Sequence, residues 1–178
     1  MYVMRKIIGL IILLLSPFTL AAQLSESSYV FKLHGQTRRF TISIIDQKDT
    51  VNVNWSIFRN GTLQKGSIQM IGESVEKGTA LNWHQPEDGK TYLLPSNETF
   101  GIISLEAYQK LVEKSSFTYN GILYKRINDT SSDEGMMHVK AEIDETQMWI
   151  ALSGKLPVIY EMRDNPLGID WKIEKYVK

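Results

Sequence analysis

The sequence predicts a mainly β (α+β) fold, an antiparallel curved sheet or half-barrel of about ten strands with one short helix. A β-sandwich is the alternative. Three observations carry this expectation. Apolar residues recur at every second position along several runs, the period of a strand with one buried face. Asn-Gly pairs stand between such runs at Asn60-Gly61 and Asn120-Gly121. Only one stretch has helical spacing and a capping residue.

In chain order, Phe40, Ile42 and Ile44 alternate with Thr41 and Ser43, and Val51, Val53, Trp55 and Ile57 alternate with Asn52, Asn54 and Ser56. Asn60-Gly61 then marks a hairpin, because both central residues of a type I′ turn need positive φ. The stretch Gly72 to Lys90 is irregular, with a turn at Pro86-Glu87-Asp88-Gly89, and Thr91-Tyr92-Leu93-Leu94 reads as a strand. Ser104 can cap a helix over Leu105 to Lys114, with Leu105, Tyr108, Leu111 and Val112 on one side. Glu106 near its start and Lys110 and Lys114 near its end suit the helix dipole. Asn120-Gly121 marks a second hairpin, and Asn128 to Gly135 a polar loop. Runs at 136–143, 147–152 and 157–163 follow, separated by Asp144-Glu145-Thr146 and Ser153-Gly154-Lys155. Pro157 suits a strand start. Asp164 to Gly168 turns the chain into Ile169, Trp171 and Ile173, which alternate with Asp170, Lys172 and Glu174. Short turns imply antiparallel neighbours.

Many strands carry an apolar face, yet one short helix is available to cover them. An apolar face must be buried against something. The sheet can close, fold over, or curve and leave a concave face under the helix at 104–114, where a ligand cavity would lie.

The N-terminus has the parts of a cleavable export signal over residues 1–22: Arg5 and Lys6, an apolar run from Ile7 to Leu15, a break at Ser16-Pro17, and small residues at Ala21 and Ala22. The apolar run is too short for a bilayer span, which needs about 20 residues. The remainder, residues 23–178, is expected to form a single β-rich domain exported to a periplasm or the extracellular space, with a Gram-negative source favoured. It has no cysteine, so neither N-terminal acylation nor a disulfide is available. The whole chain has 20 basic and 20 acidic residues. Removing Arg5 and Lys6 leaves 18 against 20, a balance that argues against nucleic-acid binding and gives no general attraction to anionic membranes. No second apolar segment is long enough to be transmembrane in the mature chain. Asn-x-Ser/Thr sequons at Asn54, Asn60, Asn97 and Asn128 are glycan acceptors only on a eukaryotic secretory route.

No motif points to a catalytic residue, a metal site or a cofactor. His34, His84 and His138 lack the short spacings of zinc ligands. His138 reads with Lys140, Glu142 and Asp144 as the solvated face of a strand. Gly89-Lys90-Thr91 resembles the end of a phosphate loop, but the position that needs the first glycine is His84, and a strand follows where a helix is required. No G-x-S-x-G elbow occurs. Asp46 with Asp49, and Asp129 with Asp133 and Glu134, lack the glycine and terminal glutamate of a calcium loop. The candidate ligand-binding residues are apolar. Trp55 and Trp171 fall on the apolar faces of their strands, where they fill a core or line a cavity. Trp149 alternates out of phase with Met148 and Ile150, which predicts a strand apolar on both faces, as under a helix. Tyr108 and Leu111 lie on the apolar side of the helix. Met148, with Met136, Met137 and Met162, suits a greasy pocket or an ordinary core.

The order Gln147-Met148-Trp149-Ile150, then Leu156-Pro157-Val158-Ile159-Tyr160-Glu161, then Gly168-Ile169-Asp170-Trp171-Lys172 resembles the closing strands of LolA-like periplasmic carriers. The resemblance implies a half-barrel that holds acyl chains against a sheet beneath helices. This chain has one clear helix where a carrier's cover uses several, and no functional residue is transferred. The function expected is an exported non-enzymatic binding protein for a lipid or other apolar or amphipathic ligand. The alternative is an interaction or scaffold module docking on an envelope protein partner. A hydrolase would need a site assembled from non-local carboxylates, for which no local pattern speaks.

Overall fold

The structure is a computed structural model that describes residues 22–23, 27–83, 87–127 and 135–176. The export signal, apart from Ala22, lies outside the described residues. So do His84, Asn128, Asp129, Asp133 and Glu134.

The fold is mainly β, a large curved and unclosed antiparallel sheet of 11 strands with two short helices. Two meanders build it. The first runs through β2 (Ser27–Leu33), β3 (Gln36–Gln47), β4 (Thr50–Arg59) and β5 (Thr62–Ile71), with β1 (Ala22–Gln23) pairing the end of β3. The second runs through β9 (Ser116–Tyr119), β10 (Ile122–Arg126), β11 (Met137–Ala141), β12 (Gln147–Ser153), β13 (Leu156–Arg163) and β14 (Ile169–Tyr176). The last strand, β14, pairs with β2 and so joins the two meanders in the middle of the sheet. Between them the chain makes α1 (Gly72–Lys77), β6 (Ala80–Leu81), β7 (Thr91–Leu93), β8 (Glu98–Thr99) and α2 (Leu105–Lys114).

Turn chemistry sets the register. Asn60-Gly61 has φ 51° and 76°, and Asn120-Gly121 has φ 52° and 75°, the left-handed pair a type I′ turn requires. A third turn of this kind, His34-Gly35 at φ 48° and 81°, joins β2 to β3 without the asparagine that advertises it. Strand alternation then sorts the side chains. Phe40, Ile42, Ile44, Val51, Val53 and Trp55 are all buried on the concave face.

Five expectations are corrected. The strand at 91–93 pairs with β5 in parallel, not antiparallel, because the chain leaves the sheet through α1 before returning. The stretch read as irregular thus contains a helix of its own. Val112 is exposed, so the buried side of α2 is carried by Ala107 and Leu111. His138 is buried, not solvated: the Trp149 ring stacks on it with centroids 4.1 Å apart. In the same run, β11 stops at Ala141 and Ile143 is exposed.

The helix α2 is closed as its sequence implies. Ser104 accepts a bond from the Ala107 amide at 3.3 Å, and Lys110 pairs with Glu106 at 2.6 Å. The segment leading into α2 is part of the sheet's architecture. Pro157 has no N–H to give, but its carbonyl accepts from the Ile103 amide at 3.1 Å, and the Ile159 amide donates to the Gly101 carbonyl at 2.9 Å. Gly101 to Ile103 therefore runs beside the first half of β13, while β14 pairs only with Glu161 and Met162 in its second half. The register of β13 against β12 shifts between these halves, as a bulge does where a strand must bend.

Candidate functional site

A cavity of about 410 Å³ opens on the concave face of β2, β3, β4 and β14, within the roughly 300–1,000 Å³ usual for small-molecule sites. Its wall is a continuous run of aromatic rings. Trp83 meets Trp171 (centroids 6.0 Å apart), Trp171 meets Phe31 (5.8 Å), Phe31 meets Phe40 edge-on (5.3 Å), and Phe40 meets Trp55 edge-on (6.1 Å). Phe100, Leu33, Ile42 and Ile169 complete the apolar lining. Polar side chains join it as well: His34, Gln36, Arg38 and Asn82. Among the described lining residues none is acidic.

Each wall residue is placed by a local rule. Phe31 and Phe40 come from neighbouring strands, β2 and β3, where alternation turns them inward. Trp55 projects from β4 across Gly66 of β5. A Cβ at position 66 would stand 2.8 Å from the Trp55 ring and 2.6 Å from the Lys90 carbonyl, so only glycine lets the indole and β7 approach together. Trp171 sits where β14 separates from β13, and its Nε1 donates to the Ile159 carbonyl at 3.1 Å. The Trp55 Nε1, by contrast, is buried with no acceptor among the described residues.

The cover comes from the segment between the meanders. The short parallel pair of β6 and β8 carries Asn82 and Trp83 on one arm and Phe100 on the other. Asn120 clamps it, its Oδ1 accepting from the Leu81 amide at 3.0 Å and its Nδ2 donating to the Leu81 carbonyl at 3.3 Å. A buried chain of bonds fixes the other arm. The Ser104 amide donates to the Tyr119 hydroxyl at 2.9 Å, and the Thr99 hydroxyl donates to the Ile102 carbonyl at 2.7 Å. With its proton so committed, Thr99 Oγ1 accepts from Tyr119, 2.9 Å away. Burial raises the Tyr119 phenol above the ordinary tyrosine value, which keeps that donor proton in place.

Of the six candidate residues, Trp55 and Trp171 line this cavity. The other four lie elsewhere. Met148 is wholly buried in the core opposite Met162, and Leu111 is wholly buried beneath α2. Tyr108 is half-buried against the same core. Trp149 lies on the opposite face of β12 from Met148, covered by His138 and by the Arg163 guanidinium 4.8 Å from its ring centre rather than by a helix. The aromatic cavity therefore lies beneath Trp83 and Phe100, whereas the cleft beside the helix at 104–114 is lined largely by polar residues, among them Ser104, Glu106, Lys110 and Lys114. Phe31 and Phe40 sit on alternating strands whose pattern could have named them. Trp83 and Phe100 stand in a stretch with no period, where only their size could have drawn notice.

Among the described residues no group of three or more His, Asp or Glu side chains could hold a metal ion. No helix there is long and apolar enough to cross a membrane. No protein-family model, curated protein or solved structure matches the chain.

Proposed function

We propose that this chain is an exported, non-enzymatic binding protein that holds an apolar or amphipathic ligand in the cavity between the concave sheet and the Trp83–Phe100 cover. The observation that carries this reading is the aromatic wall itself. Rings along the inner face of β2, β3, β4 and β14 remain beside open space instead of being filled by neighbouring side chains. Aromatic surface of this kind, with a few polar groups beside it, is how small-molecule sites are usually built. The resemblance of the last three strands to those of LolA-like carriers is in keeping with this reading, since a half-barrel holding a chain against its sheet needs such a face.

The test uses protein recovered from the periplasm, whose intact mass also reports whether residues 1–22 were removed. Dodecanol is added while tryptophan fluorescence and the melting temperature are followed. Trp55, Trp83 and Trp171 all line the cavity, so occupancy should change the emission. At a hundredfold excess over Kd the fold should gain about 2.7 kcal/mol. Trp83→Ala should weaken binding about tenfold or more, the loss expected when a large aromatic contact is removed, while the ligand-free melting temperature stays near that of the parent. A parent protein that shows neither an emission change nor a rise in melting temperature with dodecanol or any other alkyl chain would sink this reading.

A further inference from the structure

We propose that the ligand carries an oxyanion head, carboxylate or phosphate, on its apolar chain, and that Arg38 receives that head at the edge of the cavity. This rests on the reading of the cavity as a ligand site and adds the chemistry of the head.

Arg38 and Arg39 are adjacent on β3 and take opposite faces, as strand neighbours must. Arg39 is on the convex face and pairs with Glu174 at 3.4 Å. Arg38 is on the concave face, half-buried, directly opposite Phe31 in register and two residues from Phe40. Its guanidinium donates to the Gln36 Oε1 at 3.1 Å, and no carboxylate pairs with it among the described residues. Several other cations are paired, although none of these lines the cavity. Lys110 meets Glu106, Lys125 meets Glu142, and Arg163 and Lys172 both meet Glu161.

The local balance is what selects a head group. The cavity lining contains Arg38 and His34 and, among the described residues, no Asp or Glu. A nearly neutral chain thus holds one permanent positive charge where its apolar wall begins. The guanidinium has five N–H donors in a planar fork, one of them committed to Gln36. Two of the others can meet a carboxylate or phosphate side by side, a stronger and more directional contact than a neutral hydroxyl offers. Beside Phe31 that contact is partly removed from water, which strengthens it. A cationic head would meet like charge at Arg38, while the Glu98 carboxylate behind the lining is taken up by the Asn82 amide. The arginine stem can lie along the ring while the fork stays at the surface.

The experiment compares four probes with the same alkyl chain below their micellar concentrations: dodecanoate, dodecyl phosphate, dodecanol and dodecyltrimethylammonium. Affinities are measured for the mature chain and for Arg38→Gln and Arg39→Gln. In the parent, one or both anions should bind about tenfold or more tighter than dodecanol, with the cation weakest, and the tighter anion identifies the head. Arg38→Gln should bring the anions down to the level of dodecanol in the same variant, with a much smaller change for dodecanol itself, whose retained binding also shows that the variant is folded. Arg39→Gln should keep the preference. Equal binding of anions and dodecanol in the parent, or an Arg38→Gln loss shared by dodecanol, would overturn the role of Arg38 while leaving the apolar site standing. Failure of all four probes would overturn the cavity reading together with this one.

Discussion

The two halves of the concave face have the same strand pattern and opposite outcomes. Over β9 to β13 the apolar side chains meet a helix. Ile102, Ile103, Leu111, Val139, Met148, Ile150, Ile159 and Met162 are all wholly buried. Over β2, the first part of β3 and β14 they meet a strap of two-residue strands, and Phe31, Trp83, Phe100 and Ile169 remain only half-buried beside open space. Ile44, Val51 and Val53, further along β3 and β4, are buried. Alternation prepares an apolar face in both places. What differs is the cover. A capped helix presents side chains on every turn to fill the gaps between those below it. A short strap held by Asn120 and Tyr119 can deliver only a few large rings, which bridge space rather than fill it. The methionines follow the same division, since Met148 and Met162 fill the closed half and none lines the open one.

The largest expected effect tests this division directly. Leu111→Ala should cost about 2–5 kcal/mol, because the closed half around it has little room to relax. The denaturation midpoint should fall, while dodecanol affinity at low temperature stays at the parent value. If Leu111→Ala weakens dodecanol as much as Trp83→Ala does, the two halves are one structure and the division fails.

Tyr119→Phe should come next, at about 1–3 kcal/mol. It removes the acceptor of the Ser104 amide and the donor to Thr99, both buried. Ser104 caps α2 and Thr99 anchors the strap, so this one hydroxyl ties the closed half to the open one. The variant should therefore lose stability and ligand affinity together, unlike Leu111→Ala. Lost stability with unchanged affinity would show that the strap is held by Asn120 alone.

Where the chain is regular, sequence and structure agree. The shortage of covering helix pointed to a curved sheet. The antiparallel strands, the asparagine-glycine hairpins and the cap at Ser104 were all legible, because each depends on residues within a few positions of one another. Trp55 and Trp171 could be named for the same reason. The position of the cavity could not. It depends on Trp83 and Phe100 arriving from a stretch without period, and on Gly101 to Ile103 replacing β14 beside β13, both of them contacts between distant segments. His138 shows the same limit. Its alternation with Val139 correctly placed it on the outer face, but only the cross-strand Trp149 decides that this face is buried there.

The smallest effect concerns alkaline stability, and it belongs to the closed half. Tyr124 stacks on Phe117 with centroids 5.3 Å apart, and burial, with Asp144 adding to it, pushes its phenol up to about 12. In the unfolded chain the same phenol ionises near about 10. Between those values the folded state keeps a proton that the unfolded state has lost, so the contribution is full below about pH 10 and is lost as pH rises towards 12. Lysine ion pairs weaken over the same range, so the reading is a difference. Tyr124→Phe should lose stability less steeply than the parent above pH 10, while Tyr119 preserves part of the slope. Since no tyrosine lines the cavity among the described residues, dodecanol affinity in the still-folded protein should not follow this titration. Parallel slopes for parent and variant would mean that Tyr124 is solvated in the folded state, and that the closed half is looser than its burial implies.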